Sequence, residues 1–253
     1  MNPIRRKWTT LCVTRRYCSN WGRLWLSRVW GGFYRGEVRL RSGLTIQPAS
    51  ELARSWGEIF EPAIADVYGI RGMPPPDVIW DIGANIGSFS CVAGKAFPSA
   101  RILAFEPDES ALKAMKKNLD ANGVRNVTIV PHPVTKDGRN VEFVGTGASG
   151  SANIYGTGAG LTLKSRVPTV PDISQVQRLF IKLDCEGAEG EIAEWVCDHL
   201  GELPRKLRLV AECHPWCPVP VETTKDRLMA AGLTAQIAVR FGEVYLEAER
   251  NWH

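Results

Sequence analysis

Residues 78–90 combine an apolar run, a carboxylate and two glycines in the order Val-Ile-Trp-Asp-Ile-Gly-Ala-Asn-Ile-Gly-Ser-Phe-Ser. The apolar run is typical of a β-strand, and the apolar spacing after the second glycine is typical of an α-helix. The segment therefore predicts the start of a βα unit. Gly83 and Gly87 allow the backbone to come close to a ligand, and the free N–H groups of the new helix point into the same space. We expect a flat, polar ligand to bind at this turn.

Two kinds of ligand bind to turns of this type. A dinucleotide places its pyrophosphate on the helix N-terminus through the spacing Gly-x-Gly-x-x-Gly. Here the spacing is Gly-x-x-x-Gly, and Asp81 stands where its charge would repel a pyrophosphate but attract a sulfonium or ammonium group. The turn therefore favours S-adenosylmethionine over a dinucleotide, and a tight turn that binds no ligand is the alternative.

A second carboxylate stands where a nucleoside could be held. Residues 101–105 predict the next strand, and Glu106 follows it, about 20 residues beyond the glycine turn. An acidic residue at this position holds ribose hydroxyls in nucleotide-binding folds, whereas the alternative is a solvated charge at a strand end. The predicted cofactor-binding residues are Asp81, Gly83, Ala84, Asn85, Gly87, Ser88, Phe89, Glu106, Pro107 and, from a later strand, Asp184.

Two later segments end in acidic and imidazole groups: residues 179–183 precede Asp184 and Glu186, and residues 207–211 precede Glu212 and His214. In an open parallel sheet, ligands bind beyond the carboxyl ends of the strands at the switch point, so we expect Asp184 to face Asp81 across a crevice. Lys182 lies two residues before Asp184 and shares its side of the strand. His214 could act as a general base for a hydroxyl or could simply end its strand. The candidate catalytic residues are His214, Asp184, Glu186 and Glu212.

A divalent metal is a second role open to these carboxylates. Asp184, Glu186 and Glu212 offer oxygen ligands, which suit Mg²⁺ and could hold a sugar diol together with the ion. The primary expectation is nevertheless a site without a metal, and Mg²⁺ is the alternative.

The rest of the sequence supplies the elements that would position these groups. With 253 residues, 44% of them hydrophobic and 23% charged, the composition is that of one globular domain with elaborations. The patterns predict a hairpin over residues 38–46, a helix over 51–68 interrupted at Pro62, a helix over 109–122, a third strand at 127–130, a final helix over 221–231 and a closing antiparallel hairpin over 233–247. Residues 145–161 contain no charged side chain and could be a mobile lid or a plain loop.

The N-terminal segment differs in charge from the rest of the chain. Residues 1–41 contain ten Lys or Arg residues and one acidic residue, a net charge of +9, which leaves −5 for the remainder of a chain whose net charge is +4. The segment also holds four of the nine tryptophans, Trp8, Trp21, Trp25 and Trp30. A helix predicted over 20–30 could pack on the body, lie on a membrane surface or contact nucleic acid. We expect residues 1–50 to form a basic, Trp-rich arm or helical extension and residues 51–253 to form the catalytic domain.

Cysteine usage and hydropathy indicate the compartment. The seven cysteines form no Cys-x-x-Cys pair and are odd in number, which predicts a reducing environment. Arginines interrupt the N-terminal segment, so it lacks the apolar region of a secretory signal, and no stretch approaches the ~18 apolar residues of a membrane span. We expect a cytoplasmic protein, with peripheral membrane contact through residues 1–41 as an alternative; the oligomeric state is left open.

Four motifs together resemble those of the FkbM family of class I S-adenosylmethionine-dependent methyltransferases: Val-Ile-Trp-Asp-Ile-Gly-Ala-Asn-Ile-Gly at 78–87, Phe-Glu-Pro at 105–107, Ile-Lys-Leu-Asp-Cys-Glu-Gly-Ala-Glu at 181–189 and Ala-Glu-Cys-His-Pro at 211–215. The resemblance extends over roughly residues 75–250. It implies a Rossmann-like α/β fold with a seven-stranded, mostly parallel sheet of order 3-2-1-4-5-7-6. Helices would cover both faces, and a strand of the last hairpin would be antiparallel.

The resemblance also implies an activity and a division of roles. The activity is O-methylation of a hydroxyl on a small-molecule, sugar or glycan-type acceptor. The glycine turn and Asp81 would hold the methionine part of the cofactor, Glu106 would hold the ribose, and the tips of the fourth and fifth strands would border the acceptor. The chain departs from the family pattern at Pro133, where a small residue is usual, and in its basic arm.

Two other classes of protein stay open on the sequence. One is an RNA methyltransferase that uses the basic arm, and the other is a non-catalytic adaptor with a methyltransferase fold. The acidic character of the body speaks against a nucleic-acid partner.

Overall fold

The computed structural model describes residues 12, 14–29, 36–48, 57–143, 161–168 and 175–253. In chain order, its helices and strands are α1 (Trp21–Val29), β1 (Val38–Arg39), β2 (Thr45–Ile46), a π-helix (Glu61–Ala65), β3 (Val78–Ile82), α2 (Ser88–Ala96), β4 (Arg101–Phe105), α3 (Glu109–Ala121), β5 (Val127–Val130), β6 (Asn140–Phe143), β7 (Leu161–Lys164), β8 (Arg178–Leu183), α4 (Glu189–Asp198), β9 (Lys206–Cys213), α5 (Val221–Ala230), β10 (Thr234–Arg240) and β11 (Glu243–Arg250).

A seven-stranded sheet of order β10-β11-β9-β8-β3-β4-β5 forms the centre of the fold. The five strands β9, β8, β3, β4 and β5 run parallel to one another. Strand β11 is antiparallel to both β9 and β10. When the strands of this sheet are numbered in chain order, the arrangement is 3-2-1-4-5-7-6, so the predicted topology is confirmed. The winding reverses between β3 and β8, and the switch point therefore lies at their carboxyl ends.

The two central strands are buried on both faces, as expected for parallel strands that are covered by helices. All five residues of β3 are buried, and alternate ones face opposite layers. Trp80 packs with Trp195 of α4, with ring centroids 6.0 Å apart. Ile79 belongs to a different cluster, which it shares with Phe89 of α2. Helices thus cover both faces of the sheet, which confirms the predicted layers.

The described part of the N-terminal segment packs on the body of the fold. Leu24 of α1 is buried in the same apolar cluster as the β1–β2 hairpin and helix α3, and Trp21 packs against this cluster. Trp25 and Leu26 are on the outer side of α1, with 37% and 48% of their surface exposed. This packing is the first of the three arrangements that the sequence left open for the helix.

Two asparagines of α3 fix the segment that contains β2. The side chain of Asn118 accepts a hydrogen bond from the backbone N–H of Gln47 at 2.7 Å and donates one to its carbonyl. Asn122 makes the same pair of bonds with Thr45. An amide side chain can satisfy an exposed strand edge in this way, so β2 is anchored without a neighbouring strand on that side.

Several predicted boundaries change in the structure. The prediction of an interruption at Pro62 is wrong, because residues 57–60 are helical and the π-helix continues through this proline, which lies in its first turn. Strand β9 extends to Cys213, so Glu212 lies within the strand and not beyond its end.

Some predictions fall outside the described residues. These are the glycine-rich stretch up to residue 160, Trp8 and Trp30, and the predicted domain boundary near residue 50. Among the helices that are described, none has the length and apolar character that crossing a bilayer requires.

Candidate functional site

The glycine turn between β3 and α2 adopts left-handed backbone angles at Gly83, Asn85 and Gly87, with φ of 77°, 48° and 77°. A Cβ atom on Gly83 would lie 1.7 Å from the carbonyl oxygen of Asp184, and one on Gly87 would lie 2.5 Å from Cγ of Met115. Both glycines are therefore required by contacts within the protein. Their close packing brings the turn directly against the end of β8.

Glu106 connects the turn to the end of β4. Its carboxylate is almost completely buried and accepts hydrogen bonds from the backbone N–H groups of Asn85 and Asp108, both at 2.8 Å. Burial raises the pKa of Glu106 to about 7, although the two N–H donors oppose that change. A carboxylate has about four acceptor positions, so two are left for the hydroxyls of a ribose. The structure places Glu106 as the sequence predicted, and its ribose contact stays a prediction.

Lys182 lies between the two aspartates that were expected to face each other. Its ammonium nitrogen is 3.1 Å from Oδ1 of Asp81 and 3.6 Å from Oδ2 of Asp184, and it donates to the carbonyl of Gly83 at 2.6 Å. Burial alone would lower the pKa of Lys182, but the two carboxylates raise it above its ordinary value. The lysine is therefore charged and neutralises part of the acidic site.

Asp81 has no exposed surface. Its Oδ2 accepts a hydrogen bond from the hydroxyl of Ser90 at 2.6 Å, and its other oxygen faces Lys182. Oδ1 accepts no hydrogen bond from the described residues, although Lys182 lies 3.1 Å away, and the predicted contact between Asp81 and the methionine part of a cofactor stays a prediction. Asp81 also holds Lys182 and the start of α2 in place.

The other residues predicted for the cofactor differ in where they lie. Phe89 is buried between Tyr68 and Phe180, with ring centroids 5.3 Å and 6.1 Å away, so its side chain faces the core. Ala84 and Ser88 are buried, and Pro107 is half-buried beside Glu106. The hydroxyl of Ser88 has no hydrogen-bond partner among the described residues.

The tips of β8 and β9 bring together His214 and three carboxylates. Nδ1 of His214 is 3.2 Å from Oε1 of Glu189, whereas Nε2 is 3.9 Å from Asp184 and 3.7 Å from Glu186. Burial lowers the pKa of His214, but the hydrogen bond to Glu189 and the charges of the three carboxylates raise it to about 9. The imidazole is therefore protonated at neutral pH. A ring that is protonated in this way has to lose a proton before it can act as a general base, and the predicted role of His214 stays a prediction.

Glu186 is the carboxylate best placed to accept a proton. It has a left-handed backbone, with φ of 58°, and its Oε2 is buried without a hydrogen-bond partner among the residues that the structure describes. Burial raises the pKa of Glu186 to about 7, and the charge of His214 opposes that change. This oxygen lies 3.7 Å from Nε2 of His214 and has an unused acceptor position, but it is buried, so a hydroxyl group can reach it only if the side chain turns towards the acceptor.

Three residues that the sequence did not single out lie beside Asp184 and Glu212: Tyr68, Tyr245 and Glu61. The Tyr68 hydroxyl lies 3.1 Å from Oδ2 of Asp184 and 3.4 Å from Oε2 of Glu212, and the Tyr245 hydroxyl lies 3.1 Å from the same glutamate oxygen. Glu61 approaches from the π-helix, so burial and the neighbouring carboxylates raise the pKa values of both Glu61 and Glu212. None of the three lies in a sequence motif, and the π-helix that carries Glu61 has no clear sequence signal.

One set of these side chains has the geometry of a metal site. An oxygen of Asp184, an oxygen of Glu212 and a ring nitrogen of His214 all lie within 4.8 Å of one another. The set contains two of the three residues that the sequence suggested for Mg²⁺, with His214 in place of Glu186.

The sheet order, the glycine turn after the first strand of the sheet and the carboxylate after the second define a Rossmann-like fold of the class I methyltransferase type. The family model of the methyltransferase FkbM domain matches residues 81–227, which is more than half of the chain. The chain belongs to this family of methyltransferases, as its motifs predicted.

Individual relatives are more distant. The AMB antimetabolite synthetase AmbE of Pseudomonas aeruginosa is 38% identical over 90 residues, which are 34% of this chain and only 4% of that protein. The 31-O-demethyl-FK506 methyltransferase FkbM of Streptomyces tacrolimicus is 26% identical over 215 residues, with 70% of this chain and 81% of that protein aligned. Among solved structures, the precorrin-6y C5,15-methyltransferase of Geobacter metallireducens GS-15 is 19% identical with a TM-score of 0.45, and the match covers 74% of this chain and 87% of that one.

Proposed function

We propose that this methyltransferase transfers the methyl group of S-adenosylmethionine to a hydroxyl of a small-molecule, sugar or glycan-type acceptor. The observation that carries the proposal is the group of carboxylates at the tips of β8 and β9, which lies against the glycine turn beside the switch point of the sheet. When bound, S-adenosylmethionine supplies a methyl carbon whose bond to sulfur breaks, and the sulfur keeps the electron pair.

The cofactor side of the site is built from the turn and Glu106. Glu106 retains acceptor positions for ribose hydroxyls, and its two backbone bonds keep the carboxylate in a fixed orientation. The buried hydroxyl of Ser88, which lacks a partner among the described residues, offers a further polar contact at the start of α2. The residues present therefore fit a nucleoside that lies along this edge.

The acceptor side is built to receive hydroxyl groups. Carboxylates accept hydrogen bonds from hydroxyls, and Glu186 has an acceptor oxygen that no described residue uses. We assign to Glu186 the acceptance of the hydroxyl proton and to Asp184, held by Tyr68 and Lys182, the orientation of the acceptor. The related protein from Streptomyces tacrolimicus is named for an O-demethyl substrate, which supports an oxygen acceptor here.

Calorimetric titration with S-adenosylmethionine and S-adenosylhomocysteine tests the cofactor half of the proposal. We expect both to bind, and we expect Glu106→Gln to weaken binding about 10- to 100-fold, because an amide replaces a charged acceptor of ribose hydroxyls. Glu109→Gln is the matched control, since that carboxylate lies three residues away with 87% of its side chain exposed. Binding of NADH in place of both ligands would contradict the proposal.

The affinity for S-adenosylhomocysteine is also expected to depend on pH. The pKa of Glu106 is raised to about 7, and ribose hydroxyls bind better to the ionised carboxylate. Binding therefore favours loss of the proton, so the affinity is highest above pH 7 and falls by up to about tenfold per pH unit as the pH drops below that value. Calorimetry across this range measures the profile. The Glu106→Gln variant should give a flat profile, and a wild-type affinity that does not change with pH would show that Glu106 does not contact the ligand.

A further inference from the structure

The three side chains with metal-site geometry come from two neighbouring strands. Asp184 follows β8, Glu212 lies in β9, and His214 follows β9, with one ligand atom of each within 4.8 Å of the other two. Three ligand atoms that are each about 2.1 Å from one ion are about 3.4 Å apart in tetrahedral geometry. Separations of up to 4.8 Å therefore have to shorten by up to about 1.4 Å, which rotation of the side chains has to supply.

Neighbouring groups hold each of the three side chains in position. Glu189 binds Nδ1 of His214 at 3.2 Å, and this leaves Nε2 facing Asp184. Glu189 is itself fixed, because it accepts hydrogen bonds at 2.9 Å from the backbone N–H groups of Cys185 and Gly187. Metal-binding histidines nearly always have a carboxylate or carbonyl on the second ring nitrogen. The imidazole thus has the environment that a metal ligand requires.

The two carboxylates are held in a comparable way. The Tyr245 hydroxyl binds Oε2 of Glu212, and the Tyr68 hydroxyl lies within hydrogen-bond distance of that oxygen and of Oδ2 of Asp184. Oδ1 of Asp184 faces His214 at 3.9 Å, whereas Glu212 also has a hydrogen bond with Glu61, which an ion would have to replace. Glu212 is 7% exposed, so an ion bound here would be well shielded from water.

The charges around the three side chains favour a cation. Two cationic groups contact the carboxylates of this corner in the described structure, Lys182 and His214. The carboxylates are five in number: Glu61, Asp184, Glu186, Glu189 and Glu212. Nε2 of His214 faces two of these carboxylates, at 3.9 Å from Asp184 and 3.7 Å from Glu186. A divalent ion at this nitrogen would lie within the same group of carboxylates.

We propose that Asp184, Glu212 and His214 bind one divalent transition-metal cation, with Mn²⁺, Fe²⁺, Co²⁺ and Zn²⁺ favoured over Mg²⁺ and Ca²⁺. An imidazole ligand beside two carboxylates suits the first group, whereas the second group prefers oxygen ligands alone. Three protein ligands leave positions open for the hydroxyl of an acceptor, whose proton the ion would make more acidic. This catalytic role rests on the proposed function, but binding of the ion does not.

Electron paramagnetic resonance of Mn²⁺ tests the proposal on the full chain after treatment with a chelator. We expect the free-ion signal to disappear up to one Mn²⁺ per chain. Glu212→Gln and His214→Gln are expected to weaken binding more than tenfold. His199→Gln, which changes a histidine at the end of α4, is the matched control and should bind as the wild type does.

Competition on the wild-type protein provides a result that does not depend on whether the variants fold. We expect Co²⁺ and Zn²⁺ to displace Mn²⁺ at concentrations where Mg²⁺ does not. Equal displacement by Mg²⁺ would show an all-oxygen site without His214, and an undiminished free-ion signal at equimolar Mn²⁺ and protein would overturn the proposal. The Glu106→Gln variant should keep Mn²⁺ while it binds S-adenosylhomocysteine about 10- to 100-fold more weakly. A chain that binds S-adenosylhomocysteine but no Mn²⁺ would therefore refute the metal site alone.

Discussion

Replacing Glu186 with glutamine is expected to slow methyl transfer about 10²- to 10⁴-fold, which is the usual contribution of a positioned general base. Glutamine keeps the shape of the side chain but cannot accept the hydroxyl proton. Binding of S-adenosylhomocysteine should change little, because Glu186 lies at the tip of β8 on the acceptor side, beside His214. The measurement is the release of S-adenosylhomocysteine with an acceptor that is first found by screening hydroxylated compounds.

Two further variants make this result specific to Glu186. Glu202→Gln changes an exposed carboxylate beyond the end of α4 and should leave the rate unchanged. His214→Ala tests the other candidate base. If Glu186 is the base, His214 does not accept the proton, because its ring is positively charged in the absence of a metal and has no free nitrogen when it binds one. A normal rate in Glu186→Gln together with a loss of proton transfer in His214→Ala would return the general base to His214.

The fold and the positions of the main carboxylates could be predicted because local patterns determine them. Mainly apolar runs, each interrupted by a single charged residue near its carboxyl end, mark β3 and β8 as strands that are buried on both faces, and the motifs place Asp184, Glu186 and Glu106 at strand ends. The resemblance to a family then implied the strand order, which no local pattern contains. These predictions agree with the structure because each depends on residues close together in the chain or on a known topology.

The charge balance of the site could not be predicted, because it depends on pairing between distant segments. The sequence placed Lys182 on the same side of β8 as Asp184, but the register of β3 and β8, in which Asp81 pairs with Lys182, is a property of the folded sheet. That register is what places the ammonium group between the two aspartates. Tyr245 reaches Glu212 for the same kind of reason, since β11 pairs Tyr245 with Glu212.

The sequence explained only part of why the turn needs glycine, because the contact that requires Gly83 is with a residue distant in the chain. Sequence alone suggested that Gly83 lacks a side chain in order to admit a ligand. The structure shows that a Cβ at this position would first meet the backbone of Asp184, 1.7 Å away. The close approach of the turn to β8 is therefore a condition for the site to form, before any ligand binds.

A Gly83→Ala variant is expected to lose at least about 4 kcal/mol of its free energy of unfolding. The new Cβ cannot be accommodated by rotating a side chain, because the atom it meets is a backbone carbonyl oxygen. Either β3 or the end of β8 would have to move, and both strands lie in the centre of the sheet. Denaturant unfolding monitored by circular dichroism measures the loss.

Gly72→Ala is the matched control, because Gly72 has nearly the same backbone conformation but open space around it. Its φ is +79° against +77° for Gly83, and no atom lies within 4 Å of a Cβ built on it. This control should lose only the cost of a left-handed alanine, about 1–2 kcal/mol. The difference between the two variants measures the contact between the turn and Asp184. Equal losses in both would mean that backbone conformation alone requires glycine at position 83, and that the turn can move away from β8 at little cost.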